Sequence, residues 1–340
     1  MNVFVAGGAG YIGSHVVRLQ VEAGHKVCVY DNLVAGHEAA VPPGLLVRGD
    51  LADAARLQQA LAGGWDCLLH FAAFTSVPES VADPEKYYEN NLVGSLMLLA
   101  AMRRAGVGRI VFSSTAATYG VPEKAPIGED HPTRPINPYG KCKLDFEHAL
   151  ASYAAAYGLG YAALRYFNAS GAWPDAKIGE DHRPETHLVP LVLQAALGRR
   201  DAVAVYGTDY PTPDGTCIRD YVHVCDLAEA HVLAMQAIRP GSARAKPGSA
   251  VATPGQGMTF NLGNGAGYSV REVIETARRV TGRPIPTKEC PRRPGDPPAL
   301  VASSDKIIRE LGWRPRYPEL ATIIEHAWKW HSAHPDGYGK

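Results

Sequence analysis

Asn2 to Ala6 is a short apolar run that Gly7-Gly8-Ala9-Gly10-Tyr11-Ile12-Gly13 closes, and Ser14 to Glu22 then carries a helical pattern. Strand, glycine turn and helix in immediate succession predict the start of a βαβ unit. Gly8, Gly10 and Gly13 satisfy G-x-G-x-x-G, and Gly7, Gly10 and Gly13 satisfy the related G-x-x-G-x-x-G. In either frame, backbone free of side chains lets a pyrophosphate approach the positive end of the helix. The next strand, Lys26 to Tyr30, ends at Asp31, 18 residues beyond Gly13. A carboxylate there can hydrogen-bond an adenosine ribose and repels a 2'-phosphate, which favours NAD over NADP. The competing reading is a glycine turn that only packs helix on strand, with Asp31 as a helix cap.

Further alternation follows. Val47 precedes Gly49-Asp50-Leu51, and Asp53 is placed to cap a helix from Ala54 to Ala62. Asp66 to Phe71 reads as a strand ending in the small residues Ala72 and Ala73, Pro84 to Arg104 as one long helix, and Arg109 to Phe112 and Tyr161 to Phe167 as strands. The expected fold is therefore α/β: a Rossmann-type doubly wound parallel sheet, with a smaller mixed α/β lobe at its C-terminal side. Residues 1–168 are assigned to the dinucleotide-binding domain, with later segments returning to it, and 169–340 mainly to the second lobe. Beyond Asn168 the prolines 174, 184 and 190 suggest loops. Between them lie a strand Val203 to Tyr206, a helix Asp226 to Ile238, a strand Thr259 to Leu262, and helices Ser269 to Thr281 and Leu320 to Trp330. Arg239 to Gly257, almost devoid of large apolar residues, reads as a mobile surface loop.

A second feature is chemical. Asn137-Pro138-Tyr139-Gly140-Lys141-Cys142-Lys143 predicts the first turn of a helix running to about Tyr157, which stacks Tyr139 and Lys143 at i and i+4. A phenol titrates near ~10, so its use as a base at neutrality needs a shift of ~3 units, roughly 4 kcal/mol. One positive charge ~4 Å away supplies that much at an effective dielectric of ~20, which makes a lysine helped by a cationic cofactor sufficient. Ser113-Ser114-Thr115 follows a strand, where a hydroxyl can point at a substrate or simply cap the strand end.

The balance of 34 basic and 34 acidic residues argues against a broad nucleic-acid footprint. Six cysteines without a Cys-x-x-Cys pair are expected as reduced thiols. With a strand beginning at Asn2 and no apolar run near the ~18 residues of a membrane helix, neither secretion nor membrane insertion is expected, and the protein is expected to be cytoplasmic. His182-x-x-Glu185-x-His187 has atoms suited to a metal but no helical i, i+4 spacing, and no metal is assigned. Cys142 is expected to pack rather than to act as a nucleophile.

Gly7 to Gly13, Asp31-Asn32, Tyr139-x-x-x-Lys143 and Thr115 together resemble the extended short-chain dehydrogenase/reductase family. Arg165-Tyr166-Phe167-Asn168, Gly207-Thr208-Asp209-Tyr210-Pro211, the run Gly215 to Val224 and Arg292-Arg293-Pro294-Gly295-Asp296 resemble the branch of that family that epimerises UDP-glucose and UDP-galactose at C4. The likeness runs from about residue 2 to about 335. It implies tightly held NAD, a second lobe that grips a UDP-sugar, a place in galactose metabolism, and a homodimer joined through helices 84–104 and 139–157. It also implies roles: Tyr139 as the base on the sugar 4-hydroxyl, Thr115 bonded to the same oxygen, and Lys143 on the nicotinamide ribose, with hydride leaving C4 and returning after the 4-keto sugar turns over. By matching positions, NAD contacts fall on Gly7, Gly10, Tyr11, Ile12, Gly13, Asp31, Asn32, Asp50, Leu51, Phe71, Ala72, Ala73, Asn90, Lys143 and Phe167. UDP-sugar contacts fall on Asn168, Leu188, Tyr206, Arg219, Arg293 and Asp296.

The pattern is broken at four places. Thr115 stands where many members carry Ser, Thr75 where many carry Lys, Thr186-His187 replaces an Asn pair, and Leu300 occupies the position that bounds space for the sugar's 2-substituent. Alternatives are epimerisation of a UDP-N-acetylhexosamine, UDP-pentose or UDP-uronate, a nucleotide-sugar 4,6-dehydratase, and a non-enzymatic NAD-sensing module. Ala116-Ala117 after Thr115, in place of an Asp-Glu pair, argues against the dehydratase, and the intact Tyr139/Lys143 pair argues against the sensor.

Overall fold

The structure is a computed structural model that describes residues 1–242, 254–293 and 295–339. It resolves into two compact units. The first comprises Met1–Gly120, Pro132–Arg165 and Ala228–Phe260, and the second Val121–His131, Tyr166–Leu227 and Asn261–Lys340.

In chain order the first unit contains β1 (Asn2–Ala6), α1 (Tyr11–Glu22), β2 (Lys26–Asp31), β3 (Leu46–Arg48), α2 (Ala54–Leu61), β4 (Cys67–His70), α3 (Val77–Ala82), α4 (Pro84–Tyr87), α5 (Gly94–Ala105), β5 (Arg109–Thr115), α6 (Pro138–Tyr157) and β6 (Gly160–Tyr166). The second unit follows with β7 (Asn168–Ser170), α7 (Leu188–Ala196), β8 (Val203–Tyr206) and β9 (Ile218–His223). Next, α8 (Val224–Ala237) and β10 (Gly257–Leu262) lie largely in the first unit. The rest is β11 (Gly267–Ser269), α9 (Val270–Thr281), β12 (Thr287–Cys290), β13 (Ala299–Leu300), α10 (Asp305–Leu311) and α11 (Leu320–Ala333).

Seven strands form one sheet in the order β10-β6-β5-β4-β1-β2-β3. The β1-β2, β1-β4, β2-β3 and β4-β5 pairs are parallel. Strands buried on both faces must be apolar on both faces, and Val3, Phe4 and Val5 are each wholly buried. Phe4, Leu57, Leu68, Leu98, Phe112 and Phe146 pack in one cluster, each large side chain stabilising by about 1.5–3 kcal/mol on burial. The order reverses between β1 and β4, and ligands of such sheets bind beyond the strand C-termini at that point.

The helix expected over 84–104 is interrupted. Residues Tyr88–Val93 between α4 and α5 are a π-turn, and Asn91 within it accepts from Phe74 N and donates to Phe74 O, both at 2.8 Å. Such single wider turns inside α-helices occur frequently at functional sites.

In the second unit β9 pairs with β11 antiparallel and with β7 and β13 in parallel, while β8 and β12 form a separate parallel pair. A core of Val192, Leu193, Val273, Ile274, Ile323 and Ile324 joins α7, α9 and α11. The capping box of Ser269 and Glu272 fixes where α9 begins. Pro190, read in the sequence as a breaker, lies in the first turn of α7, where its missing N–H has no helical partner to lose. Of the loop expected over Arg239 to Gly257, residues 243–253 lie outside the described residues. Among the described residues no helix is long and apolar enough to cross a membrane.

Candidate active site

Two glycines shape the turn after β1. Gly7 has φ +78°, and a Cβ there would meet Ala72 N at 2.3 Å; at Gly13 a Cβ would meet Gly7 O at 2.3 Å. A side chain at either position collides with backbone that cannot swing aside, so helix α1 and β1 approach closely only with glycine at both. At Gly10 the nearest atom to such a Cβ is 3.5 Å away, leaving room above the turn. No side chain caps α1 and its first turn holds no acidic residue, so the positive end of the helix is left to an external anion.

A groove opens there. The structure brings to it Gly7, Gly10, Asp31 and Asn32, then Asp50 and Leu51, then Phe71, Ala72, Ala73 and Asn90. Tyr11, Ile12 and Gly13 form the first turn of α1, Lys143 lies on α6, and Phe167 falls in the second unit. The lining residues Tyr30 and Phe74 were not anticipated; Tyr30 Oη donates to Asp50 O at 2.9 Å. Thr75 is exposed. An uncapped helix end, a cradle that admits only glycine and a carboxylate at the end of β2 fit an adenine dinucleotide.

Asp31 does more than wait for a ribose. Its Oδ2 accepts from Ala9 N at 3.0 Å and its Oδ1 from Leu33 N at 2.9 Å, tying the glycine turn to the end of β2. Burial raises its carboxyl from the usual value while those two amides lower it. Asp31→Ala is therefore expected to lose bound NAD and also to lower stability by about 1–3 kcal/mol, because the buried amide of Ala9 and the partly buried amide of Leu33 lose their acceptor. NAD content after gel filtration and a denaturant melt measure the two effects; wild-type values for both contradict this assignment.

Asn137 caps α6 by accepting from Gly140 N at 2.8 Å, and Pro138 occupies the first helical position. One turn on, Tyr139 and Lys143 are 8% and 3% exposed. The Lys143 ammonium donates to Ser113 O at 2.8 Å and lies 5.9 Å from the centre of the Tyr139 ring. Thr115, at the C-terminal end of β5, hydrogen-bonds the Tyr139 phenol. Burial pushes that phenol up to about 12, against the pull of Thr115. Burial likewise draws Lys143 down to about 7, opposed by Cys142 and Glu147.

These directions bear on the expectation that a lysine helped by a cationic cofactor suffices. A full charge at about that separation is worth ~3 kcal/mol at an effective dielectric of ~20, or about two pKa units. Such a charge opposes the rise caused by burial. A second positive charge beside Tyr139 is needed to make it a base at neutrality.

The helix bearing this pair is anchored by a network that the sequence did not expose. Arg165 Nε donates to both oxygens of Glu147 at 3.0 and 3.2 Å, and its Nη1 donates to Tyr119 Oη at 3.0 Å. Ser114 Oγ donates to the same carboxylate. Glu147 follows Lys143 by one turn, so its helical face was readable from spacing, whereas its partners on β5 and β6 were not. Cys142 packs against Tyr87 with its thiol pushed up to about 11 by burial first, which suits packing rather than nucleophilic attack.

In the second unit, Asn168 Nδ2 donates to Asp220 O at 2.9 Å, and Leu188 opens α7. The Arg293 guanidinium stacks 3.9 Å from the centre of the Tyr206 ring. Arg219 pairs with Asp296 and donates to Pro297 O at 3.0 Å. Both arginines and Asp296 act electrostatically on Cys217, so the four groups share one neighbourhood. Two guanidiniums held by stacking and by a carboxylate are preorganised to fork onto phosphate oxygens.

His182, Glu185 and His187, read as lying in a loop without helical spacing, are joined by Glu180, and the ligand atoms of the four all lie within 4.8 Å of one another.

Residues 3–246 match the NAD dependent epimerase/dehydratase family. The chain is 52% identical over 339 residues to the UDP-glucose 4-epimerase of Halalkalibacterium halodurans, covering 99% of this chain and 98% of that one. A crystal structure of UDP-glucose 4-epimerase from Brucella ovis in complex with NAD is 49% identical and superposes with a TM-score of 0.89, covering 96% of this chain and 97% of that one. The Bifidobacterium longum UDP-glucose 4-epimerase in complex with NAD+ and UDP is 37% identical with a TM-score of 0.91, covering 99% and 100%.

Proposed function

The chain belongs to the NAD dependent epimerase/dehydratase family, and from that footing we propose that it inverts C4 of a UDP-hexose, interconverting UDP-glucose and UDP-galactose. Bound NAD supplies what no side chain offers, a hydride acceptor for C4 that is also a donor for the return step, with a positive ring beside Tyr139. Gly7, Gly10, Tyr11, Ile12 and Gly13 take its pyrophosphate. Asp31 and Asn32 hold the adenosine ribose, and Asp50, Leu51, Phe71, Ala72, Ala73, Asn90, Lys143 and Phe167 complete its site.

Tyr139 takes the proton of the sugar 4-hydroxyl as C4 is oxidised and gives it back when the ketone is reduced, so proton and hydride both return and no net redox change results. Thr115 donates to the same oxygen, and Lys143 favours the phenolate. Asn168, Leu188, Tyr206, Arg219, Arg293 and Asp296 hold the UDP portion, the arginines on its diphosphate. A hold on UDP alone leaves the 4-keto sugar free to turn its other face before reduction.

The observation that carries this reading is the buried Tyr139, bonded to Thr115 at the end of β5 and paired with Lys143 on α6. A panel of UDP-sugars incubated without reductant tests it. The expected result is UDP-galactose from UDP-glucose at the highest kcat/KM; no 4-epimer from any UDP-sugar refutes it. Leu300, partly buried in β13, bounds the 2-substituent and is expected to make N-acetylated sugars the poorer substrates.

A second copy of the chain packs on helices 84–104 and 139–157. Val81, Tyr88, Val93 and Leu96 support this, being 63%, 38%, 50% and 37% exposed near one stretch of helix. A monomer mass by sedimentation equilibrium at micromolar concentration contradicts it. The six free cysteines fit a reducing, cytoplasmic setting; disulfides in protein drawn directly from cells, trapped by alkylation, count against it.

A further inference from the structure

We propose that Glu180, His182, Glu185 and His187 form a metal site that takes one divalent zinc-like cation through two imidazoles and two carboxylates. Zinc bonds nitrogen and oxygen at about 2.0–2.2 Å, which sets neighbouring ligand atoms of a tetrahedron roughly 3.3–3.5 Å apart. In the structure Glu180 Oε1 lies 3.2 Å from His182 Nδ1 and 2.6 Å from His187 Nδ1. The oxygens of Glu185 lie 3.6 and 3.5 Å from the same nitrogens. All four ligand atoms lie within 4.8 Å of one another, so closing onto the vertices shortens the widest separation by about 1.3 Å.

Charge and access agree with this geometry. The side chains of Glu180 and Glu185 are only 3% and 5% exposed, and two buried carboxylates so close require about two compensating positive charges. One dication bound by neutral imidazoles provides both. His182 and His187, at 26% and 47% side-chain exposure, face solvent and give the ion its way in.

A supporting shell is already built. Glu185 Oε1 accepts from the backbone amides of Thr186 and His187 at 2.7 and 2.8 Å, and Trp330 Nε1 donates to Glu180 O at 3.1 Å. Such bonds orient ligands before metal arrives. His331 lies in the field of the same two carboxylates and of Asp181. Four protein ligands close a tetrahedral shell, so the ion acts as a clamp on the segment leading into α7 rather than as a Lewis acid. The site is independent of the proposed epimerisation.

The test uses full-length, tag-free protein stripped with a chelator, exposed to zinc chloride and desalted. About one zinc ion per chain is expected, and His182→Gln/His187→Gln, checked for folding by circular dichroism, is expected to keep less than about a tenth of it. Cobalt(II) added to the wild-type protein is expected to give the strong visible absorption of a four-coordinate centre, a readout that needs no variant. Zinc retention that is absent from the wild type or equal in the variant overturns the proposal, as does the weak spectrum of six-coordinate cobalt.

Discussion

Tyr139→Phe is expected to lower kcat by roughly 10²–10⁴-fold, the usual contribution of a positioned acid-base group. Bound NAD and the unfolding midpoint should stay close to those of the wild type. The ring's edge contact with Tyr87, at 6.4 Å between centroids, survives the change, and only the hydroxyl's bond with Thr115 is lost, a term of about 0.5–1.5 kcal/mol. Loss of NAD together with activity would point instead to a structural role. The lysine provides an independent check. Because a positive charge at Lys143 favours the phenolate, Lys143→Met is expected to move the acid limb of the kcat–pH profile to higher pH, by at most about two units. A limb that stays in place contradicts the electrostatic role given to Lys143.

Glu147→Leu is the second large effect, here on stability. Its carboxylate and the Arg165 guanidinium are 7% and 8% exposed. Removing one partner leaves the other charge buried and uncompensated, at a cost of about 3–5 kcal/mol. Arg165 would keep its bond to Tyr119 Oη but lose all of its carboxylate contacts. The paired change Glu147→Leu/Arg165→Met removes both charges and is expected to be the milder of the two, because ion pairs replaced whole are often close to neutral. Urea unfolding measures both proteins. A single variant within about 1 kcal/mol of the wild type contradicts this view of the network as the anchor of α6.

The contrast between Tyr139 and Glu147 shows what local sequence carries. A glycine turn, an acid at the end of the next strand and a capped Tyr-x-x-x-Lys helix are patterns within some twenty residues, and each appears in the structure where spacing placed it. Glu147 shares the helical face of Lys143, but its importance depends on Arg165 and Ser114, which reach it across the fold. Burial was equally illegible: desolvation raises the pKa of Tyr139 and lowers that of Lys143, which no i, i+4 relation reports. Helix α7 was hidden because Pro190 was weighed by its average behaviour rather than by its place in the first turn. His182-x-x-Glu185-x-His187 lacks helical ligand spacing, and only the folded chain brings Glu180 beside these three side chains.

The most direct measurement of the account follows a label. UDP-glucose deuterated at C4 is incubated with the protein in ordinary water without added cofactor or reductant. The prediction is UDP-galactose that keeps the deuterium at C4, since one hydride leaves and returns while only the hydroxyl proton passes through Tyr139. UDP-galactose that has lost its label to solvent, or no UDP-galactose, contradicts it.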